Sequence, residues 1–251
     1  MSTDGGRIIE VYDTGDALAH RAADLFVQRF EGHHPGSPFR VALSGGSTPR
    51  KFHSLLAQPG YRERVDWSRI EFYWGDERCV PPDDAESNYR MARETLLDHV
   101  PVSISQIHRM RGELTDVADA AVLYEGELRA GFALTGDEIP RFDLIFLGMG
   151  PDGHTASLFP HTQALHVMDR LAVANYVPKL NANRLTLTVP VLNNAACIAF
   201  VVAGEDKAES LKQVLEGAGH PDEYPSQLIA PVHGQVYWLC DHAAARLLRH
   251  E

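Results

Sequence analysis

The sequence predicts a doubly wound α/β fold, and three observations carry that prediction. Short β-rich apolar runs alternate with longer stretches of helical spacing along the whole chain. Two of the runs, DLIFLG at 143–148 and IAFVVAG at 198–204, are apolar on both faces, as strands of a parallel sheet covered by helices must be. No repeat, low-complexity tract or linker interrupts the 251 residues, and a chain of that length with 44% hydrophobic content buries a large core, so one compact domain is expected.

The elements follow in order. Residues 7–12 read as a strand. A helix comes next, because Leu18, Ala22, Leu25, Phe26 and Phe30 recur at helical spacing behind a capping candidate, Asp13 or Thr14. Residues 39–43 form a second strand that runs straight into a glycine-rich turn and a helix over 49–56, with Pro49 placed to open it. Further strands are expected at 70–74, 142–147, 171–177, 185–189, 198–202 and 236–239. Helices are expected at 87–97, 116–132, 206–215 and 241–248, and the Gly/Pro-rich stretch 217–225 reads as a loop within the domain.

The formal net charge of -11 argues against a nucleic-acid or anionic-membrane partner, since both require a basic face, although it leaves room for a local basic pocket. Cys79, Cys197 and Cys240 are odd in number and lack C-x-x-C spacing, which suggests neither a disulfide framework nor a structural zinc site. No apolar run has the length of a signal peptide core or a membrane helix. These features predict a cytoplasmic protein with reduced thiols, either a monomer or a small homo-oligomer.

In open parallel sheets ligands collect beyond the carboxyl ends of the strands, so the segments just after each strand are where chemistry is sought. Four stand out. The first is Ser44-Gly45-Gly46-Ser47-Thr48-Pro49. Its glycines let backbone N–H groups approach an anion, the helix dipole favours phosphate, and the Ser47 and Thr48 hydroxyls add donors. An ordinary strand-to-helix turn, capped by Ser and Thr, is the alternative at this point. The second, Trp74-Gly75-Asp76-Glu77-Arg78, ends a strand in a knot of charges that either holds a polyol or phosphate or forms solvated surface pairs of little energetic value. Downstream, Asn88 sits where a helix opens, as a cap or as a ligand contact.

The third segment is Gly148-Met149-Gly150-Pro151-Asp152-Gly153-His154. Its G-x-G-x-x-G spacing is not a dinucleotide fingerprint, because such a fingerprint opens an uninterrupted helix in the first βα unit, whereas this one lies mid-chain and meets Pro160 within about two turns. A histidine beside an aspartate is a better account: imidazole titrates near neutrality and the carboxylate fixes its tautomer. A structural or surface role is the alternative, since the chain holds 13 histidines. The fourth segment comprises Lys179, Arg184 and Ala203-Gly204-Glu205-Asp206-Lys207-Ala208, in which a lysine in the first helical turn is electrostatically unfavourable unless an anion lies nearby.

Together these segments resemble the 6-phosphogluconolactonase family, a branch of the group that includes glucosamine-6-phosphate deaminases and ribose-5-phosphate isomerases. SGGSTP, WGDERCVP followed by SNY, GMGPDGHTASLFP, the K-x-x-x-x-R spacing before LTLT, and AGEDKA occur in the family's order and cover most of the chain. The resemblance implies a three-layer α/β/α fold and hydrolysis of 6-phospho-D-glucono-1,5-lactone in the oxidative pentose phosphate pathway, without metal or cofactor. It also implies catalytic roles for His154 and Asp152, with Gly45, Gly46, Ser47, Thr48, Asp76, Arg78, Asn88, Lys179, Arg184 and Lys207 as substrate or phosphate contacts. Deaminases of the group resemble D-G-H-I-A-F-N-E-P at the third segment; Phe159 stands where they carry glutamate, and Arg78 where they carry tyrosine, so both departures favour the lactonase. The segment PKLNANR replaces a proline-rich stretch usual in the family. The alternatives are a deaminase or sugar-phosphate isomerase and, outside enzymes, a sugar-phosphate-sensing regulator. The last would need a DNA-binding module and a basic surface, for which this acidic chain has no room.

Overall fold

Seven strands form the main sheet in the computed structural model, which describes residues 2–4 and 7–249. The chain runs β1 (Ser2–Asp4), β2 (Arg7–Tyr12), α1 (Gly15–Glu31), β3 (Phe39–Leu43), α2 (Ser47–Leu56), α3 (Pro59–Arg62), β4 (Ile70–Trp74) and β5 (Asp76–Arg78). It continues through α4 (Asn88–Thr95), α5 (Val117–Gly131), β6 (Leu144–Leu147), β7 (Ala172–Val177), β8 (Ala182–Leu187) and α6 (Val189–Asn193). The last elements are β9 (Cys197–Val202), α7 (Ala208–Glu216), β10 (Gln235–Asp241) and α8 (His242–Ala245). The sheet order is β1-β2-β10-β9-β6-β3-β4, parallel throughout except for β1, which pairs antiparallel with β2.

Alternation along these strands explains why the sheet is covered on both sides. Val41, Leu43, Phe72, Trp74, Leu144, Phe146, Ala199 and Val201 face one core, which they share with Leu18, Phe26 and Phe52 of α1 and α2. Their neighbours Ala42, Tyr73, Ile145, Leu147, Ile198, Phe200 and Trp238 face a second core, closed by Tyr124 and Leu128 of α5, Leu211 of α7 and Ala244 of α8. Phe200 and Trp238 stack on adjacent strands with centroids 3.8 Å apart. The result is the three-layer α/β/α arrangement expected. Thr14 caps α1 by accepting from the Ala17 amide at 3.1 Å, which settles the choice between it and Asp13.

The second and last of the expected helices differ in extent. Helix α2 begins at Ser47, behind Gly46 at φ 116°, so Pro49 lies inside the first turn rather than at its start. Helix α8 ends at Ala245, four residues into the stretch expected to be helical. Segments 171–177 and 185–189, expected as further strands, do supply β7 and the second half of β8, yet they belong to a separate antiparallel sheet of order β5-β8-β7. Val189 falls in α6, whose proline at the start ends the strand. The two sheets are linked at Gly75: its amide donates to Leu43 O at 2.9 Å, and its carbonyl accepts from the Leu187 amide at 2.9 Å. Thus β4 continues with scarcely a break into β5 and delivers Asp76, Glu77 and Arg78 to the carboxyl edge of the main sheet.

Strands β3 and β6 are neighbours, but β3 leads outward to β4 and β6 leads the other way to β9 and β10. That reversal opens a crevice beyond their carboxyl ends.

Candidate active site

The crevice is a cleft of about 390 Å³ lined by Ser44 and Gly45 after β3, Asp76 and Arg78 of β5, Asn88 of α4, the turn from Gly148 to His154 after β6, and Lys179 and Arg184 of the β7–β8 hairpin. Eight of the residues singled out in the sequence therefore meet in one place. Gly46, Ser47, Thr48 and Lys207 are not among its lining residues. Gly46 and Ser47 lie exposed at the start of α2, and Lys207 is engaged by its neighbour Asp206.

Period-two alternation sorts the charges of β5. Asp76 and Arg78 face the cleft, while Glu77 turns inward and accepts from the amides of Arg78, Asn88 and Tyr89, each at 2.8 Å, and from Ser87 Oγ at 3.1 Å. Burial raises the Glu77 carboxyl above its ordinary value, against the pull of these backbone donors. Its task is to hold the start of α4, where Ser87 is the cap. Asn88 is thereby freed, and its Nδ2 donates to Asp76 O at 2.9 Å. Gly45 passes so close to this amide that a Cβ there would lie 1.7 Å from Asn88 Oδ1.

Arg78 and Arg184 are directly opposed in the β5–β8 register, and neither forms an ion pair among the described residues. Arg184 Nη1 donates to the Asn183 carbonyl at 3.1 Å, and Arg78 Nη1 to that of Glu86. Two like charges facing each other across a strand pair are unfavourable until an anion joins them. Across the cleft, Ser44 Oγ is buried without a hydrogen-bond partner at the end of β3, beside the N-terminus of α2, which no side chain caps.

His154 sits in a turn built around glycines. Gly153 adopts φ +74°, and the Gly150 amide donates to the His154 carbonyl at 2.9 Å. No helix opens here: residues 151–162 form turns, as the rejection of a dinucleotide fingerprint requires. His154 Nδ1 lies 2.6 Å from Asp152 Oδ1, and Asp152 Oδ2 accepts from Lys179 Nζ at 3.0 Å. Burial tends to raise the Asp152 carboxyl, but the hydrogen bonds and charges of His154 and Lys179 outweigh it and hold the group well below the ordinary carboxylate range. An ionised carboxylate only accepts, so in the neutral ring Nδ1 bears the proton and Nε2 the lone pair. The ring also stacks on Phe159, centroids 4.0 Å apart and planes 20° apart.

Sequence reasoning missed two polar groups. Ser157 Oγ donates to Asp76 Oδ2 at 2.6 Å, and Ser157 is itself held through its carbonyl by buried Asn175 at 2.8 Å. Ser44 stood in the first segment but was not among the expected contacts, although a hydroxyl directly following a buried parallel strand is a usable signal.

A doubly wound sheet that brings an imidazole–carboxylate pair, and two guanidinium groups with no carboxylate partner among the described residues, to its carboxyl edge has the chemistry an enzyme acting on a small anion needs. Residues 13–238 match the family described as glucosamine-6-phosphate isomerases/6-phosphogluconolactonase, and the chain belongs to that family. It is 43% identical to the 6-phosphogluconolactonase of Synechocystis sp. over 209 residues, 83% of this chain and 84% of that protein. It is 39% identical to that of Nostoc sp. over 95% of this chain and 97% of the relative. Among solved structures, the 6-phosphogluconolactonase from Trypanosoma brucei superposes with a TM-score of 0.86 at 27% identity, covering 97% of this chain and 99% of that one.

Proposed function

We infer that the chain hydrolyses 6-phospho-D-glucono-1,5-lactone to 6-phosphogluconate, as a cytoplasmic enzyme of the oxidative pentose phosphate pathway, with His154 as general base. The observation that carries the mechanism is the pairing of His154 Nδ1 with Asp152 in a cleft shared with Arg78 and Arg184. Nε2 takes a proton from water as the oxygen attacks the lactone carbonyl. The tetrahedral oxyanion then collapses, the bond from C1 to the ring oxygen breaks, and Nε2–H returns the proton to that oxygen. The acid product releases its own proton to solvent. General base catalysis of this kind contributes about 10²–10⁴-fold. A δ-lactone is already an activated acyl group, so the step asks for neither a covalent nucleophile nor a metal.

The phosphate belongs, on this reading, between Arg78 and Arg184, with Ser44 Oγ and the first amides of α2 as further donors; Gly46, Ser47 and Thr48 contribute through that helix start. Asp76, steadied by Ser157 and Asn88, accepts from sugar hydroxyls. Lys207 keeps the weaker case, as an outlying positive charge beside Asp206. Binding energy from the phosphate positions the carbonyl at the far end of the substrate. The assay that tests the reading offers the lactone and glucosamine 6-phosphate side by side and follows acid release and ammonia release. Lactone hydrolysis without deamination is expected; deamination without accelerated lactone hydrolysis would overturn it.

A further inference from the structure

Lys179 was singled out in the sequence as a contact for the substrate's anion, yet its ammonium is 3.0 Å from Asp152 Oδ2, and the other oxygen of that carboxylate holds His154 at 2.6 Å. The hairpin turn is shaped for this reach. Asn181 adopts a left-handed backbone, φ 46°, just after the single turn Pro178–Leu180, and Tyr176 Oη locks it by donating to Asn181 Oδ1 at 2.7 Å. Asparagine tolerates that conformation better than most residues.

We propose that Lys179 is a positioning residue for the base: it pins Oδ2 of Asp152 so that Oδ1 stays aimed at His154 Nδ1, and its charge offsets the hold of the carboxylate on the imidazole proton. The proposal rests on the reading of His154 as the base. A carboxylate alone orients an imidazole but also favours its protonated form, which is inert as a base. A cation on the far oxygen keeps the orientation and disfavours the second proton. The other charged groups lining the same cleft are Asp76 and Arg78 of β5 and Arg184 of β8, and none of them hydrogen-bonds the ring or the Asp152 carboxylate. From behind the turn, Ser210 of α7 donates to Gly150 O and Tyr224 packs on Gly153, neither of them charged. Lys179 is 64% exposed in its side chain, so its removal leaves the fold intact.

The test is the pH profile of kcat/KM for lactone hydrolysis in wild type, Lys179→Met, Lys179→Arg and His154→Ala. In K179M the acid limb moves to higher pH by about half a unit, the scale of one largely solvated charge a few ångströms away, so activity below the limb falls about threefold more than above it. K179R restores the limb, because the guanidinium keeps the charge. A K179M enzyme with raised KM and an unmoved acid limb would show Lys179 to be a substrate ligand only, and would overturn the proposal. An acid limb that survives unchanged in H154A speaks instead against His154 as the base.

Discussion

Substituting Gly150 by alanine probes the geometry of the base with the smallest possible change. A Cβ at this position would lie 2.1 Å from both Nδ1 and Cε1 of His154 and 2.8 Å from Asp152 Oδ1. Ordinary contact is more distant, so the imidazole has to retreat by roughly 1 Å, and a displacement of that size costs on the order of 10²-fold in rate. The backbone at Gly150 is not at positive φ, so alanine adds no strain of its own there. Relief comes from rotating His154 off Asp152, and overpacking of this kind typically costs about 1–3 kcal/mol. In a chain of this size that corresponds to a loss of about 2–12 °C in Tm, at about 2–4 °C per kcal/mol. Steady-state lactone hydrolysis and thermal unfolding on one preparation separate the two effects. A folded Gly150→Ala enzyme with kcat/KM within about threefold of wild type would refute the claim that the His154–Asp152 contact sets the rate.

Two further outcomes follow from the same structure. Replacing Arg184 by methionine should raise KM about 10-fold or more, the worth of a hydrogen bond to a charged group, with a smaller effect on kcat; steady-state kinetics with inorganic phosphate as competitor checks this, and an unchanged KM counts against the guanidinium pair as the anion site. His53, fully buried on α2 with neither ring nitrogen partnered, has its pKa pushed down to about 3 by burial and by the nearby charge of Arg50. Because the unfolded chain then binds a proton that the folded chain refuses, stability is complete above the ordinary histidine value near 6.5 and is lost as pH falls from there towards about 3, by about 2 kcal/mol at pH 5. Urea unfolding of His53→Leu across that range should lack this component, and parallel pH dependence in the two proteins would reject it.

Much of the fold was legible because the informative signals are local. Strands β6 and β9 are short runs of apolar residues buried on both faces, and the parallel sheet follows from that alone. The antiparallel β5-β8-β7 sheet was not legible as such. Its middle strand starts with Ala182, Asn183 and Arg184, its first strand is three charged residues, and pairing between them depends on the Gly75 link, which no periodicity announces. At the site, residues after the strands were found because the topology makes that position special. Ser157 was not, since its importance comes from Asp76, which lies 81 positions away in the chain. Lys207 shows the limit from the other side: its place in a first helical turn suggested an anion, and Asp206 beside it supplies one.

Activation of water by His154 is tested most directly by removing its imidazole. Initial rates of acid release from 6-phosphogluconolactone, corrected for spontaneous hydrolysis, should fall by about 10²–10⁴-fold in His154→Ala while binding of a phosphosugar product analogue stays near wild type. A variant that binds the analogue and still turns over the lactone at close to the wild-type rate would contradict it.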